Sequence, residues 1–188
     1  RSGTTSLLNL FHGGGEFASL TYEDMPFILS PNLWSRLKGQ STQLEKVERA
    51  HRDGIFINFK SPEAFEEVFW KHILQNNYID SYSLRQHKVT EKQTLEFEIF
   101  IQLILNLRNR SFYLSKNNNN ILRLNSLSKL LKNSLFLILF RDPLNHARSL
   151  LNTHKKFIKL QEGDGFVRQY MNFIGHNEFG MDHRRMVF

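Results

Sequence analysis

The sequence predicts an α/β fold with a central parallel sheet, and three observations carry that prediction. From residue 90 to residue 140, helical periodicity alternates with short apolar runs: an amphipathic stretch, then Phe112-Tyr113-Leu114, a second amphipathic stretch, then Leu135 to Phe140. Parallel neighbours need a crossover between them, so helix-then-strand alternation is the pattern a parallel sheet leaves in a sequence. Leu135 to Phe140 is apolar at every position, as expected of a strand covered on both faces. Near the start, Arg1-Ser2-Gly3-Thr4-Thr5 runs directly into Leu7, Leu8, Leu10 and Phe11, a glycine turn opening a helix.

The remaining elements follow in order. Thr5 to about His12 forms the first expected helix, and Gly13-Gly14-Gly15 stops it because glycine permits a left-handed turn. Phe17 to Leu20 reads as a short extended piece. Phe27, Ile28, Leu29, Leu33 and Trp34 suggest a mainly apolar helix broken by Pro31. Residues 38–60 turn polar, a surface excursion with Gly54 to Phe59 as a possible strand. Ser61-Pro62-Glu63 has the cap, proline and early acid of a helix start, with Phe65, Val68, Phe69, His72 and Ile73 on one face. Thr90-Glu91-Lys92-Gln93 is a capping box, and the helix it opens carries Leu95, Phe97, Phe100, Ile101, Leu103, Ile104 and Leu107. Ile121 to Leu131 is amphipathic, Asp142-Pro143 begins another helix, and Asp164 caps a last one with Phe166, Val167, Tyr170, Met171, Phe173 and Ile174.

Composition sets the outer bounds. The 188 residues, 40% hydrophobic and 23% charged, suffice for one domain with a real core, taken as residues 1–188. No run approaches the roughly 18 apolar residues of a membrane span. Cysteine is absent, which removes disulfides, thiolate metal sites and a cysteine nucleophile, and favours a reducing, cytoplasmic setting. No carboxylates stand at metal-ligand spacing, so no metal is expected. The net charge of +7 favours an anionic partner, while Arg148, His154, Lys155, Lys156 and Lys159 read as a solvated helix face or, alternatively, as a group that attracts an anionic acceptor.

The chemistry concentrates in two short motifs. In Arg1 to Thr5, backbone N–H groups and a helix N-terminus can cradle an anion, with Gly3 allowing close approach. A nucleotide-triphosphate loop places lysine directly after its last glycine; here Thr4 holds that place and the positive charge lies at Arg1, which points away from Mg-ATP. A phosphate loop normally follows a strand, so a fragment is expected here, with its first strand and loop opening lying before Arg1. The second motif is Arg141 at the end of the apolar run, with Ser149 on the helix after Asp142-Pro143; guanidinium and hydroxyl can converge on one phosphate. Alone, each motif also fits an ordinary loop or a helix cap beside a surface arginine.

Together, Arg-Ser-Gly-Thr-Thr, Lys116 after a strand, and Phe140-Arg141-Asp142-Pro143 with Ser149-Leu150 resemble the sulfotransferases that use 3′-phosphoadenosine 5′-phosphosulfate (PAPS). The segments 17–27, Ser61 to Trp70 and Ser115 to Asn120 resemble bacterial members. The resemblance implies a P-loop-like three-layer fold with a central parallel sheet. It also implies that Arg1, Ser2, Gly3, Thr4 and Thr5 hold the 5′-phosphosulfate, that Arg141 and Ser149 hold the 3′-phosphate, and that Lys116 faces the sulfuryl group. Asn117 and Asn118 follow Lys116 where small-phenol enzymes carry a histidine, so the proton acceptor is sought as in carbohydrate and tyrosyl-protein enzymes: Asp24 or Glu23, with Glu16 and His12 behind them. Either acid could instead be a helix N-terminal charge.

The expected partner is a small-molecule or glycan acceptor with a hydroxyl or amine, bound by variable loops at 35–60 and 76–90, with no nucleic acid. The asparagine run 117–120 is either a linker or a cleft-lining loop. Two other functions stay open on the residues alone: a kinase or NTPase with a degenerate loop, and a non-enzymatic anion or nucleic-acid binder using the +7 charge.

Overall fold

The structure, a computed structural model, describes residues 3–39, 45–48 and 54–188. Arg1 and Ser2, the first half of the candidate phosphate loop, lie outside the described residues. The chain is mixed α/β: helices α1 (Thr4–Gly13), α2 (Pro31–Leu37), α3 (Glu67–Ile73), α4 (Glu91–Arg108), α5 (Leu124–Leu130), α6 (Pro143–Gly163) and α7 (Gly165–Phe173). Its strands are β1 (Phe17–Ala18), β2 (Val47–Glu48), β3 (Phe56–Ile57), β4 (Ser83–Arg85), β5 (Phe112–Tyr113) and β6 (Arg185–Val187). They form three two-stranded sheets: β1 with β5 and β4 with β6, both parallel, and β2 with β3, antiparallel. Among the described residues there is no single central sheet.

Local sequence signals place most helices well. At α4 the capping box is realised in full: the Thr90 hydroxyl accepts from the Gln93 N–H at 3.2 Å, and the Gln93 side chain accepts from the Thr90 N–H at 3.0 Å. The Asp142 carboxylate caps α6 through the Asn145 N–H at 2.8 Å, with Pro143 in the first turn where its missing N–H costs nothing. Asp164 caps α7 through the Phe166 N–H at 2.8 Å. The α1 helix ends at the glycine run, with Gly15 at φ 81°.

Three expectations are corrected. Pro31 opens α2 instead of breaking a helix, for the same first-turn reason. Residues 61–66 do not start a helix: Pro62 bridges Thr21 and the Glu63 N–H donates to the Leu20 carbonyl at 3.0 Å, so this stretch extends the β1 connection and α3 begins only at Glu67. Leu135 to Phe140 is not a buried strand. It runs irregularly and exposed, with Leu135 at 83%, Ile138 at 79% and Phe140 at 89% accessibility. A strand apolar on both faces is stable only between sheet neighbours and covering layers, and among the described strands none pairs with it. Conversely, the pairing of β4 with the C-terminal β6 has no counterpart in the sequence reading.

The core forms where α3, α4 and α5 meet β1 and β5. Phe69 stacks on Phe100 at 4.9 Å between ring centroids, Trp70 packs on Phe97 at 4.7 Å, and Phe65, Ile104, Leu122 and Leu127 fill the space around them. Tyr113 and Phe136 pack against the same cluster from its rim. Burial of aromatic rings of this size supplies most of the local stabilisation, roughly 1.5–3 kcal/mol per fully buried side chain.

Candidate functional site

At the start of α1, Gly3 sits at φ 90°, a left-handed value that a side chain would strain, and no side chain caps the helix. The first turn contains no acidic residue, so none of its own side chains offsets the positive end of the helix dipole there. Thr5 is buried one residue into the helix, and Thr4 is half-buried. This part of the loop has the form an anion cradle needs.

Lys116 lies between β5 and a 3₁₀ turn spanning Asn118–Leu122; it is half-buried and its ammonium makes no described hydrogen bond or ion pair. Arg141 is exposed immediately before the α6 cap. Ser149 is half-buried two turns into α6; its carbonyl accepts from the Thr153 hydroxyl at 2.9 Å while its own hydroxyl is left with no described partner. Arg141 and Ser149 therefore flank the same helix start, with Asp142 between them holding it. No described contact joins this pair to Gly3 and Thr4.

Glu23 and Asp24 fall on a 3₁₀ turn, Tyr22–Asp24, inside an ion-pair network that the sequence did not announce. Arg108, at the end of α4, donates to both oxygens of Asp24 at 2.8 and 2.9 Å and to Glu23 at 3.2 Å. Lys38 pairs with the same Glu23 oxygen at 3.2 Å, and the Trp34 indole N–H donates to the Glu23 carbonyl at 3.0 Å. One Asp24 oxygen also takes the Thr21 N–H at 2.8 Å. Asp24 is thus sequestered on every side, whereas Glu23 keeps Oε1 without a described partner. Burial, and then the charges of Arg108 and Arg110, hold the His12 pKa below the ordinary imidazole value. Arg108 is thus within electrostatic reach of His12, which sits in the last turn of α1, roughly 12 Å along the axis from Thr4 at 1.5 Å per residue.

A second buried network absorbs the asparagine run. Glu67 takes both Arg123 Nη groups, at 2.7 and 3.1 Å, the Asn117 side-chain amide at 2.7 Å and the Tyr78 hydroxyl. Glu66 takes the Trp70 indole N–H and the Asn120 amide, each at 3.1 Å, and the Tyr113 hydroxyl at 3.3 Å. Arg123 lies over the Trp70 ring at 4.9 Å and the Tyr78 ring at 5.4 Å. Burial, reinforced by the neighbouring Glu67 charge, pushes the Tyr78 hydroxyl pKa far above its ordinary value, so it stays a donor. Residues 117–120 are an ordered turn: the Asn117 and Asn120 amides satisfy the buried carboxylates, the Asn119 amide donates to the Gly175 carbonyl at 3.2 Å, and the exposed Asn118 donates to Glu178 at 2.8 Å. The available signal was Glu66-Glu67 embedded between Phe65 and Val68, a charged pair on an otherwise apolar face that demands buried partners.

Among the described residues no cluster of histidines and carboxylates is placed to hold a metal, and no helix is long and apolar enough to cross a membrane. Compared with protein-family models, curated proteins and solved structures, the chain matches none.

Proposed function

We propose that the chain is a sulfotransferase-type domain that binds PAPS and transfers its sulfuryl group to a hydroxyl or amine of a small-molecule or glycan acceptor. The observation that carries the reading is the uncapped, acid-free start of α1 at Gly3, in a sequence that also places an arginine–serine pair around the α6 start. A helix N-terminus with no acid in its first turn favours an anion, and a second pair suited to an anion fits a ligand with phosphates at both ends. The resemblance of the two motifs to PAPS-dependent enzymes supplies the ligand's identity.

In this reading the α1 amides, Thr4 and Thr5 stabilise charge on the leaving 5′-phosphate, and Lys116, whose ammonium has no partner among the described residues, faces the sulfuryl oxygens. In-line transfer breaks the bond from sulfur to the phosphate oxygen and forms one to the acceptor oxygen or nitrogen, while the acceptor's proton passes to a base. Of the two acids, Glu23 is the better candidate because its Oε1 is open; Asp24 serves as the anchor for Arg108. At the far end of α1, Glu23 can act only if the acceptor reaches it. A Glu23→Gln variant that loses transfer but keeps nucleotide binding supports that role.

The test of donor binding is thermal. At a hundredfold excess over Kd, 3′-phosphoadenosine 5′-phosphate adds about 2.7 kcal/mol to the folded state, a rise of about 5–10 °C in Tm for a domain of this size. Arg141→Ala is expected to remove most of that rise. No shift with saturating nucleotide overturns the reading, and a shift that needs Mg-ATP instead favours a nucleotide kinase or NTPase.

A further inference from the structure

Helix α4 is apolar on more than one side, and the core uses only one of them. Phe97, Phe100 and Ile104 are buried in the core. On the solvent-facing side Leu95, Ile99 and Leu103 are 56%, 54% and 38% accessible. They recur every four residues, so each lies about one turn from the next and within about 40° of a single line along the helix. Isolated exposed leucines are ordinary, but three in a row along the outer face of an 18-residue helix form a continuous apolar stripe. α2, packed beside α4, adds Leu33 and Leu37, both exposed and one turn apart.

The polar residues bordering this stripe are arranged about its middle. Ile99 stands at the centre of α4, with Leu95 four residues before it and Leu103 four after. Glu96 and Gln102 are three residues to either side, Lys92 and Asn106 seven. All four fall within about 60° of Ile99 around the helix, and their side chains have no partner among the described residues. A second copy laid antiparallel across Ile99 therefore meets its own complement: Ile99 on Ile99, Leu95 on Leu103, Glu96 beside Gln102, Lys92 beside Asn106. Each charged group then faces an amide that can pair with it, and the helix dipoles oppose. A parallel copy would instead set Lys92 against Lys92 and Glu96 against Glu96. The same helix carries Glu91, Glu96 and Glu98 against Lys92 in its first half, which disfavours an anionic membrane surface as the occupant.

We infer that the outer face of α4 is an isologous dimer contact, with a two-fold axis through Ile99 joining this chain to a second copy of itself. The contact uses none of the residues assigned to PAPS, so it stands or falls independently of the sulfotransferase reading.

The chain has no cysteine, so a single introduced thiol reports the contact. Ile99→Cys places two thiols on the axis; helices packed 8–10 Å apart, with Cα atoms about 2.3 Å from each helix axis, bring the facing pair into disulfide range. Leu95→Cys is as exposed as Ile99, but its two copies stand about 12 Å apart along the helices, beyond that range. Mild oxidation of the folded 188-residue protein is expected to link Ile99→Cys into a dimer about tenfold or more faster than Leu95→Cys, whose rate measures random collision. Static light scattering of the unmodified protein, up to about 1 mM, is expected to reach twice the 22.3 kDa chain mass. Ile99→Glu sets two carboxylates against each other on the axis and is expected to weaken the dimer about a hundredfold. Its Tm in dilute solution should match that of the unmodified protein, because the position is exposed. Ile138→Lys, in the separate exposed segment 135–140, should leave the two-chain species in place. Equal oxidation rates for the two cysteine variants, a protein monomeric at every concentration, or a dimer that Ile138→Lys abolishes and Ile99→Glu spares overturns the inference.

Discussion

Replacing Arg123 with methionine should be among the most destabilising single changes in this chain. The side chains of Arg123 and Glu67 are 0% and 1% accessible, and they meet through two hydrogen bonds at 2.7 and 3.1 Å. Methionine fills much of the same space but leaves Glu67 as a buried carboxylate whose remaining described hydrogen bonds come from Tyr78 and Asn117. Stranding one partner of a buried pair costs about 3–5 kcal/mol, and the contacts of the guanidinium with the Trp70 and Tyr78 rings are lost with it. For a domain of this length that is a fall in Tm of about 6–20 °C. The double change Glu67→Gln with Arg123→Met removes the stranded charge and should recover much of the loss, because an ion pair exchanged for neutral groups is often close to neutral in stability. Thermal melts and urea titrations of the single and double variants form a mutant cycle. A fall below about 1 kcal/mol in the single variant, or no recovery in the double, refutes the claim that this pair anchors the turn that follows Lys116.

Three other changes follow from the same reasoning. Asp24→Asn should cost about 2 kcal/mol, less than a fully buried pair because Arg108 is 23% accessible; unaltered urea stability would show that the Arg108 network contributes little. Leu137→Lys and Ile138→Lys, at exposed positions, should change stability by no more than about 0.5 kcal/mol while reducing self-association; light scattering checks this, and a large loss of Tm would mean the segment is packed after all. Hydrogen bonds from Arg168, and then Asn172, hold the Asp182 carboxyl down to about 2. Its folded pKa is below the unfolded value of about 3.9, so its contribution is fully present above about pH 4 and is lost as pH falls through about 2. A carboxyl titration by NMR with a midpoint near 4 would contradict that placement.

How far the fold could be read depended on whether its determinants are local. The Thr90 capping box, Asp142-Pro143 and Asp164 set helix starts through contacts within three residues, and the sequence located each of them. The Gly13 to Gly15 stop is local in the same sense. Leu135 to Phe140 failed because a buried strand is defined by its neighbours, and the apolar pattern cannot say whether they are present. The β4–β6 pairing joins residues about a hundred positions apart and left no local trace. At the start of α1, the left-handed backbone at Gly3 is a local requirement that shows as a residue type. Asp24 could equally have been a catalytic acid or a structural one; Arg108, 84 residues away, commits both its oxygens, and nothing near Asp24 in the sequence names that partner.

The proposed two-ended donor site is tested most directly by the worth of the 3′-phosphate. Calorimetric titration with 3′-phosphoadenosine 5′-phosphate and with adenosine 5′-phosphate, which lacks the 3′ group, isolates the contribution assigned to Arg141 and Ser149. Charged hydrogen bonds worth about 1.5–3 kcal/mol correspond to roughly tenfold to hundredfold tighter binding of the bisphosphate, and Arg141→Ala should erase most of that difference while leaving adenosine 5′-phosphate binding nearly unchanged. Equal affinity for the two nucleotides, or a preference that survives Arg141→Ala, would contradict it.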